Sequence, residues 1–406
     1  MLEFASDTSG VRHAHVSVTD SFGEGPIPRR GPTLAGFAAL GLFWGAWAAV
    51  LPGVQHATGA SKGALGIAML FVSVGSIPVM FLVAPRAIDR FGARAVAVGC
   101  AAFAVATLLP GLATTLPTLV VALLLCGMGS GLVDVSINAN VGRIENATGR
   151  RLQPLAHGTY SIGVLVGAVG AGLARGSGVG REPILVVVAV CIGLTALGVT
   201  GDRARVHAEP TAGFRFAHGL ILIGIVGAVA FIVEGGIESW SALFLERQLD
   251  ARPAISGLGP GVFGGSMAAG RFFGQAAGRL SDRGLLGGGA VLAAVGCVVA
   301  AAAPNAPVGL VGFALAGAGI SLNAPIVFGF AGRHRDAGTA VATVTTIGYL
   351  GLLIGPPLVG GIAQATSLRV SFAVLAAIAA AVALAATRLR LDEEAPAQRV
   401  EQRAAS

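Results

Sequence analysis

The stretch PRAIDRFGAR, Pro85 to Arg94, is a short charged segment between two long apolar runs. A second stretch, GRLSDRGLL from Gly278 to Leu286, also separates two apolar runs in the later half of the chain. The Asp-Arg pair of the second stretch follows that of the first by 193 residues. Charged segments that return at a fixed distance indicate that one structural unit occurs twice.

Further matches between the two halves support this duplication. Trp47 and Trp240 are also 193 residues apart. The pattern Gly-x3-Gly-x4-Gly begins at Gly163 and again at Gly351, an offset of 188. Because these matches occur in the same order along both halves, we predict a parallel repeat of two equivalent units.

The composition predicts an all-α integral membrane protein. Of the 406 residues, 54% are hydrophobic and 12% are charged, whereas a soluble domain carries about 25% charged residues. Lipid cannot hydrate a charge or an unpaired peptide group, so the chain must cross the membrane as apolar helices or as a closed barrel. The apolar runs are continuous and do not alternate with polar residues, which favours helices.

A helix needs about 20 apolar residues to cross the hydrocarbon core. By this measure we predict twelve transmembrane helices in two six-helix bundles, at residues 33–54, 64–84, 94–113, 117–141, 156–174, 183–200, 219–245, 255–277, 285–303, 307–330, 337–362 and 369–387. The predicted units are a tail at 1–32, a bundle at 33–200, a linker at 201–218, a bundle at 219–387 and a tail at 388–406.

The distribution of basic residues predicts the orientation in the membrane. With both tails on one side, that side carries 21 of the 27 Lys and Arg residues, and Arg271 is counted among them. Cytoplasmic loops are enriched in Lys and Arg, so both termini are expected in the cytoplasm. The positive charges are dispersed over short loops, and we therefore expect a lipid bilayer and not a nucleic acid as the partner.

Three stretches carry a resemblance to a known family. The segment Pro85–Arg94 resembles the Gly-x-x-x-Asp-Arg-x-Gly-x-Arg pattern of the major facilitator superfamily, with proline at the first glycine position. GMGSGLVDVSINAN, from Gly127 to Asn140, resembles the fourth span of the fucose permease group. EGGIESW and GYLGLLIGPP are similar to an uncharacterised bacterial branch near that group.

This resemblance implies a major facilitator fold, a location in the bacterial inner membrane and secondary active transport. It does not extend to sugar specificity, because the fucose permease group has an acidic residue in its first span. Here Trp44 and Trp47 occupy that region.

Asp134, Glu234 and Glu238 are the acidic residues that we place deep in the bilayer. A charge at the centre of a span costs roughly 2.5–3.5 kcal/mol, so these groups should face a wet cavity, form pairs or carry protons. Burial disfavours the ionised form of a carboxyl group, and Glu234 and Glu238 share one helix face. We therefore assign all three to proton coupling. For Glu238, hydration at the outer interface stays open as an alternative.

The repeat offset of 193 carries Glu234 to Gly41 and Glu238 to Gly45, so the two glutamates have no acidic counterpart in the first half. We interpret them as functional residues added to a duplicated scaffold.

Aromatic and amide side chains in the spans are candidates for contact with a solute. Aromatic faces cover apolar C–H surfaces, while amides and hydroxyls bind polar groups. The predicted substrate-binding residues are Trp44, Trp47, Asn138, Asn140, Trp240, Asn323 and Tyr349. Two alternatives stay open: a tryptophan belt at the membrane interface and helix–helix hydrogen bonds.

The repeated Asp-Arg pairs are candidates for a cytoplasmic gate, because ion pairs at helix ends can form in one state and break in another. The predicted gate residues are Asp89, Arg90, Arg94, Asp282 and Arg283. The alternative is that they only anchor the topology.

The sequence contains no Walker loop, GxSxG, HExxH or metal-ligand cluster, so we expect no enzyme activity, cofactor or metal. We predict a monomeric secondary active transporter that moves a small polar solute by alternating access with proton coupling. Proton-driven efflux of organic compounds and a non-transporting membrane receptor or interaction protein stay open as alternatives.

Overall fold

The computed structural model describes residues 26–202, 204, 220–276, 281–332 and 337–388, and these residues form helices without a β-strand. The predicted linker and the two predicted tails lie mostly outside them. The helices are α1 (Arg30–Thr58), α2 (Lys62–Pro78), α3 (Ala84–Phe91), α4 (Ala95–Leu112), α5 (Leu116–Thr148), α6 (Gln153–Gly176), α7 (Arg181–Val199), α8 (Ile221–Gln248), α9 (Pro253–Ser256), α10 (Leu258–Ala276), α11 (Asp282–Ala302), α12 (Ala306–Ile320), α13 (Asn323–Gly332), α14 (Ala337–Ala365) and α15 (Leu368–Ala386).

Ten helical stretches in the described part of the chain are long and apolar enough to cross a membrane. One of them, Lys62–Leu112, contains a 3₁₀ turn at Gly92–Arg94, and the second and third predicted spans lie on either side of it. Helix α10 carries Arg271 and is not among the ten, although it coincides with the eighth predicted span. Within the described residues, each of the twelve predicted spans is therefore helical over most of its length.

Three spans depart from the continuous helices that the sequence predicts. The eighth begins in α9 and passes a turn at Gly257 before α10. The second span passes through a π-helical turn at Val79–Val83, directly after Pro78, which lacks the N–H group of a regular turn. The tenth span is broken between Ile320 and Asn323. Ser321 lies in this break and its hydroxyl donates to the carbonyl of Ala318 at 2.7 Å, which competes with the helical hydrogen bonds.

Helix packing confirms the internal repeat. Helix α1 packs on α6 in the first half, and the equivalent α8 packs on α14 in the second half. In the same way, the packing of α2 on α5 corresponds to that of α10 on α12. The packing of α4 on α7 corresponds to that of α11 on α15. The chain thus forms two pseudo-symmetric six-helix bundles.

The two halves meet along α2 against α14 and along α6 against α10. Glycines face each other in both contacts. A Cβ atom at Gly172 of α6 would lie 2.9 Å from the Cα atom of Gly257, and one at Gly360 of α14 would lie 3.0 Å from the Cα atom of Gly66. Both contacts are near the face that the basic residues predict to be outside, and neither leaves room for a side chain.

Close backbone approach inside each half also depends on glycine, and α6 offers a matched comparison. A methyl group at Gly167 would overlap the carbonyl oxygen of Leu42 in α1, whereas one at Gly170 would meet nothing within 4 Å. We expect Gly167→Ala to destabilise the bundle by about 1–3 kcal/mol through overpacking. We expect Gly170→Ala to be neutral or stabilising by up to about 1 kcal/mol, because alanine favours helix.

Thermal unfolding of both variants in detergent, followed by loss of the monodisperse chromatographic peak, measures this difference. Equal unfolding midpoints for the two variants would contradict the packing of α1 on α6.

Candidate functional site

A cavity of about 400 Å³ lies between the two halves. Its walls come from α1, α2, α5 and α6 of the first half and from α8, α10, α13 and α14 of the second half. Much of the lining is aromatic, including Phe37, Trp44, Phe231, Phe263 and Phe328. A cavity between two bundles is where a solute can be reached from either side of the membrane in turn.

The three acidic residues predicted to lie deep in the bilayer all line this cavity. Asp134 comes from α5, and Glu234 and Glu238 come from successive turns of α8. The structure therefore brings together acids that are about 100 residues apart in sequence. Hydration of Glu238 at the outer interface does not fit this placement.

Each half contributes a tyrosine that contacts a carboxylate of the other half. The Tyr160 hydroxyl of α6 lies 3.5 Å from Oε1 of Glu238 and donates to it. The Tyr349 hydroxyl of α14 hydrogen-bonds to the side chain of Asp134. Tyr160 is absent from the sequence prediction. A signal was present, since these are the chain's two tyrosines and they lie 189 residues apart, close to the repeat offset.

Arg271 of α10 also lines the cavity, although the sequence analysis counted it among the cytoplasmic basic residues. Its Nε atom donates to the carbonyl of Ser321 at 3.2 Å, in the break between α12 and α13. A side chain at Gly270 would overlap Ser321, so the glycine lets α10 approach the break. The Arg271 charge acts on Glu234 and Glu238 across the cavity.

A chain of side-chain amides connects Asp134 to a histidine. Asn138 Nδ2 donates to the backbone carbonyl of Asp134 at 2.9 Å and to its Oδ1 at 3.1 Å. Gln153 Nε2 lies 2.9 Å from Asn138 Oδ1, to which it donates, and 3.0 Å from His157 Nε2. Asp134 and His157 line the cavity, and the two amides lie behind them.

Of the seven predicted substrate-binding residues, Trp44, Trp47 and Tyr349 line the cavity. Trp240 does not, because its ring is fully buried and its Nε1 donates to the carbonyl of Pro356 at 3.1 Å. Direct contact between Trp240 and a solute in this cavity does not fit its placement.

The three predicted asparagines also lie away from the cavity lining. Asn138 belongs to the amide chain, and Asn140 is buried with its Nδ2 3.5 Å from the carbonyl of Ala93. Asn323 opens α13, and neither polar atom of its side chain has a hydrogen-bond partner among the described residues. Asn138 and Asn140 therefore form hydrogen bonds within the protein, which is the alternative that the sequence left open for these side chains.

The predicted gate residues lie at helix ends on the face that the basic residues predict to be cytoplasmic. The Arg90 guanidinium lies 5.6 Å from the centre of the Phe91 ring, and Arg283 donates to the carbonyl of Thr387. Asp89 lies on α3, Arg94 precedes α4, and Asp282 opens α11. Their role in gating stays a prediction.

The opposite face carries a charged contact between the halves that the sequence analysis missed. Arg175 at the end of α6 binds Glu246 of α8 through two hydrogen bonds of 2.9 and 3.1 Å. Arg175 also donates to the carbonyl of Ala49 at 2.9 Å, and Ser256 donates to Glu246 at 2.9 Å. Both charged side chains are less than one-fifth exposed. We call Arg175 and Glu246 the outer clamp.

Comparison with known proteins identifies the family. The sequence model of the Major Facilitator Superfamily matches residues 33–351 and 223–405. An uncharacterised MFS-type transporter of Yersinia pestis is 33% identical over 367 residues, which cover 89% of this chain and 95% of the relative.

Solved structures have the same fold. A bacterial homologue of the human lysosomal transporter Spinster, in an inward-facing and occupied conformation, has a TM-score of 0.69 at 18% identity, covering 90% of this chain and 98% of the other. The fucose:proton symporter of E. coli has a TM-score of 0.59 at 16% identity, covering 88% and 98%. The chain belongs to the major facilitator superfamily and is a multi-pass membrane transporter.

Proposed function

We propose that the protein takes up a small polar solute by proton-coupled symport across the bacterial inner membrane, with both termini in the cytoplasm. The observation that carries the proposal is the meeting of Asp134, Glu234 and Glu238 in one cavity between the halves. The structural similarity to a fucose:proton symporter adds support.

The cross-half tyrosine contacts suggest how protonation is linked to the movement of the bundles. A phenol hydroxyl binds an ionised carboxylate more strongly than a neutral carboxyl group. Protonation of Glu238 would weaken its contact with Tyr160, and protonation of Asp134 would weaken its contact with Tyr349. Each proton bound would therefore loosen a link between the halves and shift the balance between inward- and outward-open states.

The aromatic lining fits a solute with both apolar and polar faces. A volume of about 400 Å³ is within the range of small-molecule sites. Trp44 and Trp47 offer flat surfaces for a ring, and the carboxylates and Tyr349 offer hydrogen bonds. These features favour a ring-shaped metabolite.

One observation favours proton-driven efflux of a hydrophobic cation as a second candidate. Glu234 and Glu238 lie in the same cavity wall as Phe231, and a cation bound there would contact both carboxylates and an aromatic face. Symport and efflux differ in the direction of proton movement relative to the solute, so one assay separates them.

Transport in liposomes with a pH-sensitive dye inside tests the coupling. We expect entry of a transported solute to acidify the interior, and we expect Asp134→Asn and Glu234→Gln each to reduce this acidification at least tenfold. Glu182→Gln is the control, because Glu182 pairs with the adjacent Arg181 and is absent from the cavity lining. If both cavity variants transported the solute at the wild-type rate and no solute moved protons, the coupling would be disproved.

The outer clamp generates a separate prediction about alternating access. Opening of the predicted outer face must separate Arg175 from Glu246, so Arg175→Ala should favour the outward-open state. We expect about tenfold faster labelling of a cysteine placed at Ser73 in the cavity by an impermeant maleimide, in a background without native cysteines. A tenfold change corresponds to about 1.4 kcal/mol, which is close to the lower end of the range of about 1.5–3 kcal/mol for a hydrogen bond to a charged group.

Two controls accompany this measurement. Arg181→Ala removes an arginine whose partners, Glu182 and the carbonyls of Gly111 and Ala113, all belong to the first half, and it should leave the labelling rate unchanged. The exchanged pair Arg175→Glu with Glu246→Arg should restore slow labelling. Equal rates in the wild type and in Arg175→Ala would mean that the clamp does not hold this face closed.

A further inference from the structure

We propose that Arg271 and His157 form a subsite for a carboxylate of the transported solute, which makes the solute a small polyhydroxy acid of the sugar-acid type. This inference rests on the proposed uptake of a polar solute and adds its chemical class. The subsite takes one donor from each half of the protein.

Arg271 has a guanidinium whose terminal nitrogens are available. Within the described part of the chain its one hydrogen bond runs from Nε to the carbonyl of Ser321, and this bond holds the side chain in place. Nη1 and Nη2 have no hydrogen bond there, and no ion pair within 4 Å joins Arg271 to Glu234 or Glu238. A fork of two N–H groups is the geometry that binds a carboxylate.

The amide chain determines which nitrogen of His157 carries the proton. The Asp134 backbone carbonyl can only accept, so Nδ2 of Asn138 must face it and Oδ1 must face Gln153. Gln153 then donates from Nε2 to Asn138 and directs its second N–H at His157 Nε2. His157 Nε2 is therefore an acceptor, and the ring proton lies on Nδ1.

This tautomer leaves a donor for which the described residues offer no acceptor. Nδ1 of His157 has no hydrogen-bond partner among the described residues, and the ring lines the cavity. The residues that follow His157 in α6 and Arg271 in α10 lie close to each other. A Cβ atom added at Gly158 would be 3.2 Å from the ring of Phe272. His157 and Arg271 thus both line the cavity near the α6–α10 contact, and Nδ1 of His157 and the terminal nitrogens of Arg271 have no acceptor among the described residues.

The charge balance of the cavity is consistent with an anionic solute entering with protons. One arginine and a neutral histidine stand against three carboxyl groups, so the ionised cavity repels an anion. Protonation of a glutamate removes a competitor for Arg271 and lowers this repulsion. The titratable groups that face the subsite from the neighbouring helices are Asp134, Tyr160, Glu234, Glu238 and Tyr349.

Binding of matched solutes to the purified full-length protein tests the subsite. The probes are D-glucuronate against D-glucose and D-galacturonate against D-galactose, measured by the fluorescence of the cavity tryptophans and by thermal unfolding. We expect the acid of at least one pair to bind at least tenfold more tightly than its neutral partner. Arg271→Gln should remove this preference without weakening binding of the sugar, and Arg271→Lys should retain part of it.

Gln153→Leu tests the role of the amide chain. It leaves both cavity donors in place but frees the tautomer of His157, so the acid should bind several-fold more weakly with no change for the sugar. Arg181→Gln is the control for loss of a positive charge, because Arg181 is the first residue of α7 and is absent from the cavity lining. The subsite is disproved if no acid binds more tightly than its neutral partner, or if Arg271→Gln weakens acid and sugar equally.

The two proposals can fail separately. A preference for acids without proton movement in liposomes would leave the subsite standing and remove the coupling. Proton-coupled transport of neutral solutes, with no preference for acids, would remove the subsite alone.

Discussion

A carboxylate in the hydrocarbon core of a membrane must face water, a hydrogen-bond donor or a positive charge, and this constraint organises the protein. Asp134, Glu234 and Glu238 meet it by facing a common cavity, where Tyr160 and Tyr349 supply donors and Arg271 supplies the charge. The cavity in turn requires two bundles that place these few polar groups on their facing, mostly apolar sides. Close glycine contacts hold those bundles together near the predicted outer face.

Much of this arrangement could be predicted from the sequence, because it follows from local properties. Lipid excludes charge, so the spans are visible as apolar runs, and an acid within a run must face a cavity. The order of the matched residues predicted the duplication, and the packing of α1 on α6 and of α8 on α14 has the same pattern. These inferences need the chain's periodicity and no knowledge of which side chains touch.

The features that the sequence analysis missed depend on contacts between distant segments. Arg271 is held at the cavity by its hydrogen bond to the carbonyl of Ser321, which lies in the break of the tenth span. Neither the break nor this hydrogen bond leaves a periodic signal in the sequence. Arg175 and Glu246 are 71 residues apart and lie on helices of different halves. The repeated Asp-Arg loops lie at the face predicted to be cytoplasmic, whereas this clamp joins the halves at the other face.

The register of the repeat explains why Trp240 lies away from the cavity while Glu234 and Glu238 line it. Gly163 and Gly167 pack on Ala38 and Leu42 of α1, and the equivalent Gly351 and Gly355 pack on Ala228 and Ile232 of α8. Packing therefore relates α1 to α8 by an offset of 190, three residues less than the offset of the charged loops.

At this offset Glu234 corresponds to Trp44 and Glu238 to Ala48, and all four residues line the cavity. The match between Trp47 and Trp240, and the equivalence of the glutamates with Gly41 and Gly45, are consequently wrong for these helices. Trp240 corresponds to Val50, and both are fully buried. The same two helical positions therefore face the cavity in each half. The first half has an aromatic and a small apolar residue at these positions, and the second half has two carboxyl groups.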